Sequence, residues 1–161
     1  MLTEFELRSH RCCFTGHRPE KLTMPEKKIK AALEAQIKAA IEDGYQTFIS
    51  GMSRGVDLWA AEIVLRFRDR GVPVRLICAV PYPGFETRWN AGWQKTYQRI
   101  LTSADLVRFI CPQYTPDCFQ RRNRWMVDHS SRIIAAYNGT PGGTRNTLKY
   151  AASQGLSIIR I

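Results

Sequence analysis

The chain has 161 residues, 44% of them hydrophobic, 11% aromatic and 24% charged, a balance that fits one globular domain and excludes a disordered chain, which lacks apolar surface to bury. Lys and Arg number 24 against 14 Asp and Glu, a formal charge of +10, which favours anionic partners such as nucleotides, nucleic acid or acidic protein surfaces. No apolar run approaches the ~20 residues of a membrane helix, and the opening MLTEFELRSHRCC has no continuous apolar segment of the secretory kind.

Residues 1–9 read as a short extension before the first strand, RCCFTG at 11–16. From Pro25, a plausible first helical residue, Ile29, Leu33, Ile37, Ala40 and Ile41 recur on one helical face until Gly44. TFISG at 47–51 is the second strand, followed by a helix from about Gly55 to Arg70 that stops at Gly71. PVRLICAV at 73–80 leads to a third helix carrying Trp89, Trp93, Tyr97, Ile100 and Leu101, whose spacing marks a buried face. LVRFIC at 106–111 precedes a helix from about Phe119 to Ser131. RIIAAYNG at 132–139, a helix from about Arg145 to Gln154, and SIIRI at 157–161 complete the chain. The strand runs are short, unalternating and rich in β-branched residues, as in strands covered on both faces. Such alternation predicts an α/β fold: a single Rossmann-like domain over residues 1–161 with a mostly parallel sheet of about six strands and helices on both faces. The cysteines are odd in number and lack a C-x-x-C pair, and Cys12, Cys13, Cys78 and Cys111 lie in strand runs, so reduced core thiols in a cytoplasmic protein are expected.

In open parallel sheets, ligands bind beyond the carboxyl ends of the strands. After the first strand come Gly16, His17, Arg18 and Pro19. Gly16 allows a sharp turn or close approach, Arg18 offers a fork of donors for a phosphate, Pro19 fixes the exit, and His17 is either structural or a general base. After the second strand, SGMSRGVD sets Gly51 and Gly55 around a turn into a helix whose first N–H groups would bind an anion. Ser50, Ser53 and Arg54 could donate to phosphate, and Asp57 could cap the helix or hold a ribose hydroxyl. NGTPGGT repeats the arrangement, with Gly142 and Gly143 offering amides and Thr144 a hydroxyl. In FQRRNRWMVDHSS, Asn123, Arg124 and Asp128 could read a base or sugar edge, although Arg124 and Asp128 also have the spacing of an intrahelical ion pair. The Cys and His positions show no metal-ligand spacing, and no Walker loop, nucleophile elbow or complete dinucleotide fingerprint is present.

Taken together, CCFTGHRPEKL, FISGMSRGVDLWAAE, RNRWMVDHSSRIIAAYNG and the GGT before the last helix resemble the YpsA-like family of the SLOG superfamily, over about residues 10 to 161. SGMSRGVD also resembles DprA proteins, and PGGT resembles the LOG phosphoribohydrolases. The resemblance implies a Rossmann-like fold whose strand-end loops bind nucleotides or nucleotide derivatives. The expected function is therefore binding or sensing of a nucleotide-type phosphate ligand, with hydrolysis of a nucleotide N-glycosidic bond and binding of single-stranded nucleic acid as alternatives. The LOG pattern Pro-Gly-Gly-x-Gly-Thr-x-x-Glu, aligned on Pro141, meets Arg145, Asn146 and Lys149 at its third glycine, threonine and glutamate. A hydrolase would then need a carboxylate from Asp57, Glu62, Glu86 or Asp128. No cofactor beyond such a nucleotide is expected. A homo-oligomer joined through Tyr82, Phe85 or Tyr114 is a further option.

Overall fold

A computed structural model describes all 161 residues. After helix α1 (Glu4–Arg8), six strands and five helices alternate: β1 (Arg11–Gly16), α2 (Glu26–Glu42), β2 (Thr47–Ser50), α3 (Val56–Asp69), β3 (Arg75–Val80), α4 (Ala91–Ser103), β4 (Leu106–Phe109), α5 (Cys118–Asp128), β5 (Arg132–Ala136), α6 (Gly143–Ser153) and β6 (Ser157–Arg160). Every strand pairing is parallel and the sheet order is β4-β3-β2-β1-β5-β6. The chain builds outward from β1 to β4, then returns to place β5 on the other side of β1. Strand order therefore reverses between β1 and β5.

The apolar strands divide their side chains between two cores. Phe14, Phe48, Leu76 and Val80 pack with Ile29, Leu33, Ile37, Val64, Tyr97 and Ile100 of α2, α3 and α4. Cys13, Ile49, Ala79 and Ile133 meet Met126, Val127, Leu148 and Ala151 of α5 and α6 on the opposite face. All five cysteines are buried free thiols.

The observed elements are shorter than the apolar runs. Strand β5 stops at Ala136, not Gly139, because its neighbour β1 ends at Gly16, the residue in register with Ala136. Pro25 caps α2 through its carbonyl, which accepts from Lys28 and Ile29, and is not itself helical. Asn90 accepts from the Trp93 amide at 3.0 Å and caps α4, which begins at Ala91 and so leaves Trp89 outside the helix. The N-terminal extension holds α1, begun by a reciprocal Thr3–Glu6 capping box and tied to the body by Arg8 donating to the Ser130 carbonyl at 2.8 Å. No helix is long and apolar enough to cross a membrane.

Candidate functional site

At the β1/β5 reversal lies a crevice of about 290 Å³. Its walls come from the end of β1 and the loop after it, the β2–α3 loop with the start of α3, one face of α5 and the start of α6. Ligands favour this position because helix N-termini and loop amides converge there.

The Gly-His-Arg-Pro corner forms one wall. A Cβ on Gly16 would lie 2.5 Å from Val56 Cγ2, so this glycine lets the first residue of α3 pack against the end of β1 rather than clearing space for a ligand. Pro19 starts a single 3-10 turn, Pro19–Lys21, and packs on Gly55, where an added Cβ would meet the Pro19 ring at 3.0 Å. Arg18 is exposed at the crevice, and neither it nor Lys21 has an ion-pair partner. His17 is buried, its ring tilted against Tyr137 with centroids 5.4 Å apart, and its Nε2 has no hydrogen-bond partner. Burial, with Lys21 nearby, lowers its pKa and favours the neutral imidazole.

The β2–α3 loop is organised from inside. Ser50, expected to donate to a ligand, is fully buried and donates to the Asp57 carbonyl at 2.8 Å while accepting from the Met52 amide at 3.2 Å. Its hydroxyl shapes the turn, which Met52 completes with a φ of 65°, a left-handed conformation costly for a side chain of this size. Asp57 lines the crevice and accepts from the Ser53 amide at 3.2 Å, so its carboxylate braces the loop. Burial raises its pKa to about 6, against the opposing pull of Arg122. Arg54 pairs with the exposed Glu20 at 2.9 Å, leaving its charge half-screened at the crevice mouth.

Arg122 is the organising residue that the sequence reading passed over. It is buried, donates to the Gly51 carbonyl, reaches Ser53 Oγ at 3.4 Å and sends Nε to Asn123 Oδ1 at 2.7 Å. A Cβ on Gly51 would lie 2.9 Å from both Arg122 Nη1 and Asp57 Oδ2, so Gly51, like Gly16, is small to admit neighbouring protein atoms. The available signal was helical spacing: Cys118, Arg122 and Met126 stand at i, i+4 and i+8, and all are buried.

Across the crevice, Gly142 and Gly143 line the opposite wall. An added Cβ at either would meet nothing within 4 Å, and Gly143 opens the first turn of α6. Thr144 is buried at the same rim. Asn123 also faces the crevice, but Arg124 and Asp128 do not. Arg124 lies over the Tyr150 ring at 5.0 Å, and Asp128 accepts from the Tyr150 hydroxyl at 2.6 Å, so both fasten α5 to α6 without forming the intrahelical ion pair their spacing allowed. Of the four carboxylates considered for hydrolysis, only Asp57 lines the crevice; Glu62 pairs with Arg99 at 3.4 Å and Glu86 lies in the β3–α4 loop. Phe85 is buried, and Tyr82 makes edge contacts of 6.0 Å with Phe85 and 5.6 Å with Tyr114, so these aromatics form one intramolecular cluster.

Two solved structures share this architecture. DprA of Streptococcus pneumoniae superposes with a TM-score of 0.69 over 96% of this chain at 18% identity, and the chain spans half the length of that protein. DprA of Helicobacter pylori, whose structure describes its single-stranded DNA binding mode, gives 0.67 over 98% of this chain and 66% of its own at 17% identity. Among sequence relatives, a UPF0398 protein of Bacillus pumilus is 28% identical over 138 residues, covering 81% of this chain and 74% of its own length. The SPbeta prophage-derived protein YoqJ of Bacillus subtilis is 32% identical over 138 residues, covering 77% and 80%. The family model YpsA, described as the YspA SLOG family, matches residues 12–156, from within β1 to the residue before β6, and the chain belongs to that family.

Proposed function

We propose that the protein binds a nucleotide or nucleotide-derived phosphate ligand in the crevice at the strand ends. The observation that carries this reading is the meeting, at the reversal of strand order, of two unpaired cations, Arg18 and Lys21, with the open first turn of α6 at Gly142 and Gly143. Free basic side chains and unobstructed helix amides together suit a phosphate dianion. His17 Nε2, buried without a partner, and Asn123 are the groups available to a sugar or base. Asp57 and Arg122 stand behind them and hold the loop in shape. With one carboxylate lining the crevice, the arrangement suits binding better than glycosidic cleavage, for which two carboxyl groups flanking the sugar are usual.

A thermal-shift panel of nucleoside mono- and diphosphates, ADP-ribose, cyclic nucleotides and short oligonucleotides tests the reading. A ligand that binds the native state alone raises the unfolding midpoint. A shift by a small nucleotide that is lost in Arg18→Ala supports it, and the same mixtures assayed for free base report any turnover. A panel that shifts nothing, or a shift unchanged in Arg18→Ala, overturns it. Single-stranded nucleic acid is the second reading, favoured by the likeness to the Helicobacter pylori DprA fold and by the formal charge of +10. It predicts oligonucleotide affinity that falls steeply with salt.

A further inference from the structure

A second cavity, of about 460 Å³, opens beside the crevice and shares Arg18, Ser53, Arg54 and Phe119 with it. Its own walls are Phe85, Arg88 and Trp89 from the loop after β3. The aromatic rings are braced among themselves: Phe85 packs on Trp89 with centroids at 5.0 Å, Trp89 on Tyr97 at 5.7 Å, and Phe85 on Phe119 at 6.4 Å. Phe119 is 40% exposed, Trp89 is half-buried, and Arg88 is exposed with no ion-pair partner. An aromatic ledge and a free guanidinium therefore adjoin the phosphate-binding groups of the crevice.

Resting on the reading of the crevice as a nucleotide site, we infer that the ligand carries two nucleosides joined through phosphate. One nucleoside occupies the crevice beside His17 and Asn123. The bridging phosphate lies at the shared Arg18 and Arg54, where it competes with Glu20 for the Arg54 guanidinium. The second base stacks on the Trp89 and Phe119 ledge, with Arg88 beside it. Rigid aromatic faces suit any base, because stacking needs a π-face and no particular hydrogen-bond pattern. The crevice alone sits at the lower edge of the ~300–1,000 Å³ typical of ligand pockets, and the adjoining cavity extends it well into that range. The same chemistry is presented by a free dinucleotide and by one step of a single strand.

Calorimetric titration of the full chain with AMP, the dinucleotide pApA and the oligonucleotide (dA)10 tests the inference, in the parent and in Arg88→Ala and Trp89→Leu variants. Arg88 is exposed, so its loss leaves the core intact even if Trp89→Leu is poorly folded. The expected result is pApA binding roughly tenfold or more tighter than AMP, an advantage lost in both variants while AMP affinity holds. Tighter binding of (dA)10 with a steep salt dependence identifies a strand as the source, and equal binding of pApA and (dA)10 identifies a free dinucleotide. AMP binding with no gain for pApA, or an Arg88→Ala effect equal on both ligands, overturns the inference and leaves the crevice reading standing. Absence of binding by AMP, pApA and (dA)10 alike overturns both.

Discussion

Substitution of Gly16 by alanine should destabilise the protein through one contact. The new Cβ would lie 2.5 Å from Val56 Cγ2, 2.8 Å from Val56 Cβ and 3.1 Å from Val56 Cγ1. Carbon atoms in good contact are ~3.5–4.0 Å apart, so the start of α3 must retreat from β1 by about 1 Å. Val56 cannot swing aside, being fully buried, β-branched and in the first turn of a helix. Overpacking of this kind costs about 1–3 kcal/mol, which for a chain of this length lowers the thermal midpoint by about 3–10 °C. Urea denaturation of Gly16→Ala, Val56→Ala and the double variant measures the contact directly. Val56→Ala is destabilising alone because it leaves a cavity, yet it removes the 2.5 and 3.1 Å contacts and leaves only the one to Cβ at 2.8 Å, so it relieves part of the strain of Gly16→Ala and the double variant should cost less than the sum of the singles by more than ~0.5 kcal/mol. Additivity within ~0.5 kcal/mol, or a silent Gly16→Ala, would refute the argument that Gly16 exists to admit Val56.

Replacing Gly51 with alanine should cost about 1–3 kcal/mol by the same urea assay, since its Cβ would press on Arg122 and Asp57 at 2.9 Å. Arg122→Met should destabilise by roughly 3 kcal/mol at pH 7.5, because it strips the counter-charge from buried Asp57 and the donor from the Gly51 carbonyl. The loss should shrink at pH 5, where Asp57, with a pKa near 6, is mostly neutral. For Asp57 itself, the pKa rises from 3.8 unfolded to about 6 folded, so the native state binds more protons across that window. Its contribution to stability is therefore fully present below pH ~4 and lost as pH rises through 6, a change of about 3 kcal/mol. Comparing stability against pH for the parent and Asp57→Asn isolates this term: the difference between the two curves should change between pH 4 and 6, and a flat difference would sink the assignment.

Much of the fold was legible because buried parallel strands are short, continuous apolar runs and the connecting helices keep an apolar stripe. The Pro25 and Phe119 boundaries slipped by a residue because caps depend on which carbonyl accepts, and the α1 turn was missed because five residues are too few for a periodic signal. Arg18, Ser53, Asp57, Asn123, Gly142 and Gly143 line one crevice because they lie in strand-end loops or in the helices that follow them, which a parallel sheet gathers at one edge. What the sequence hid was the reason for its small and polar residues. Gly16 and Gly51 resemble ligand-clearing glycines, yet they accommodate Val56 and Arg122, partners 40 and 71 positions away. Arg122 itself resembled one more surface cation in a basic run, because a buried guanidinium is rare and its acceptor, the Gly51 carbonyl, lies on another element. Asp128 and Arg124 were drawn away from the crevice by Tyr150, a contact that local spacing cannot reveal.

The central claim is that a nucleotide phosphate is held between the β1 loop and the first turn of α6. Isothermal titration of AMP into the parent, Arg18→Ala and, as an equal change of charge on the exposed face of α2, Lys38→Ala tests it most directly. One site per chain is expected, with affinity reduced roughly tenfold or more by Arg18→Ala, the loss of a charge-assisted phosphate contact, and unchanged by Lys38→Ala. No measurable heat, or equal weakening by both substitutions, would contradict the claim and leave the basic surface as a diffuse electrostatic feature.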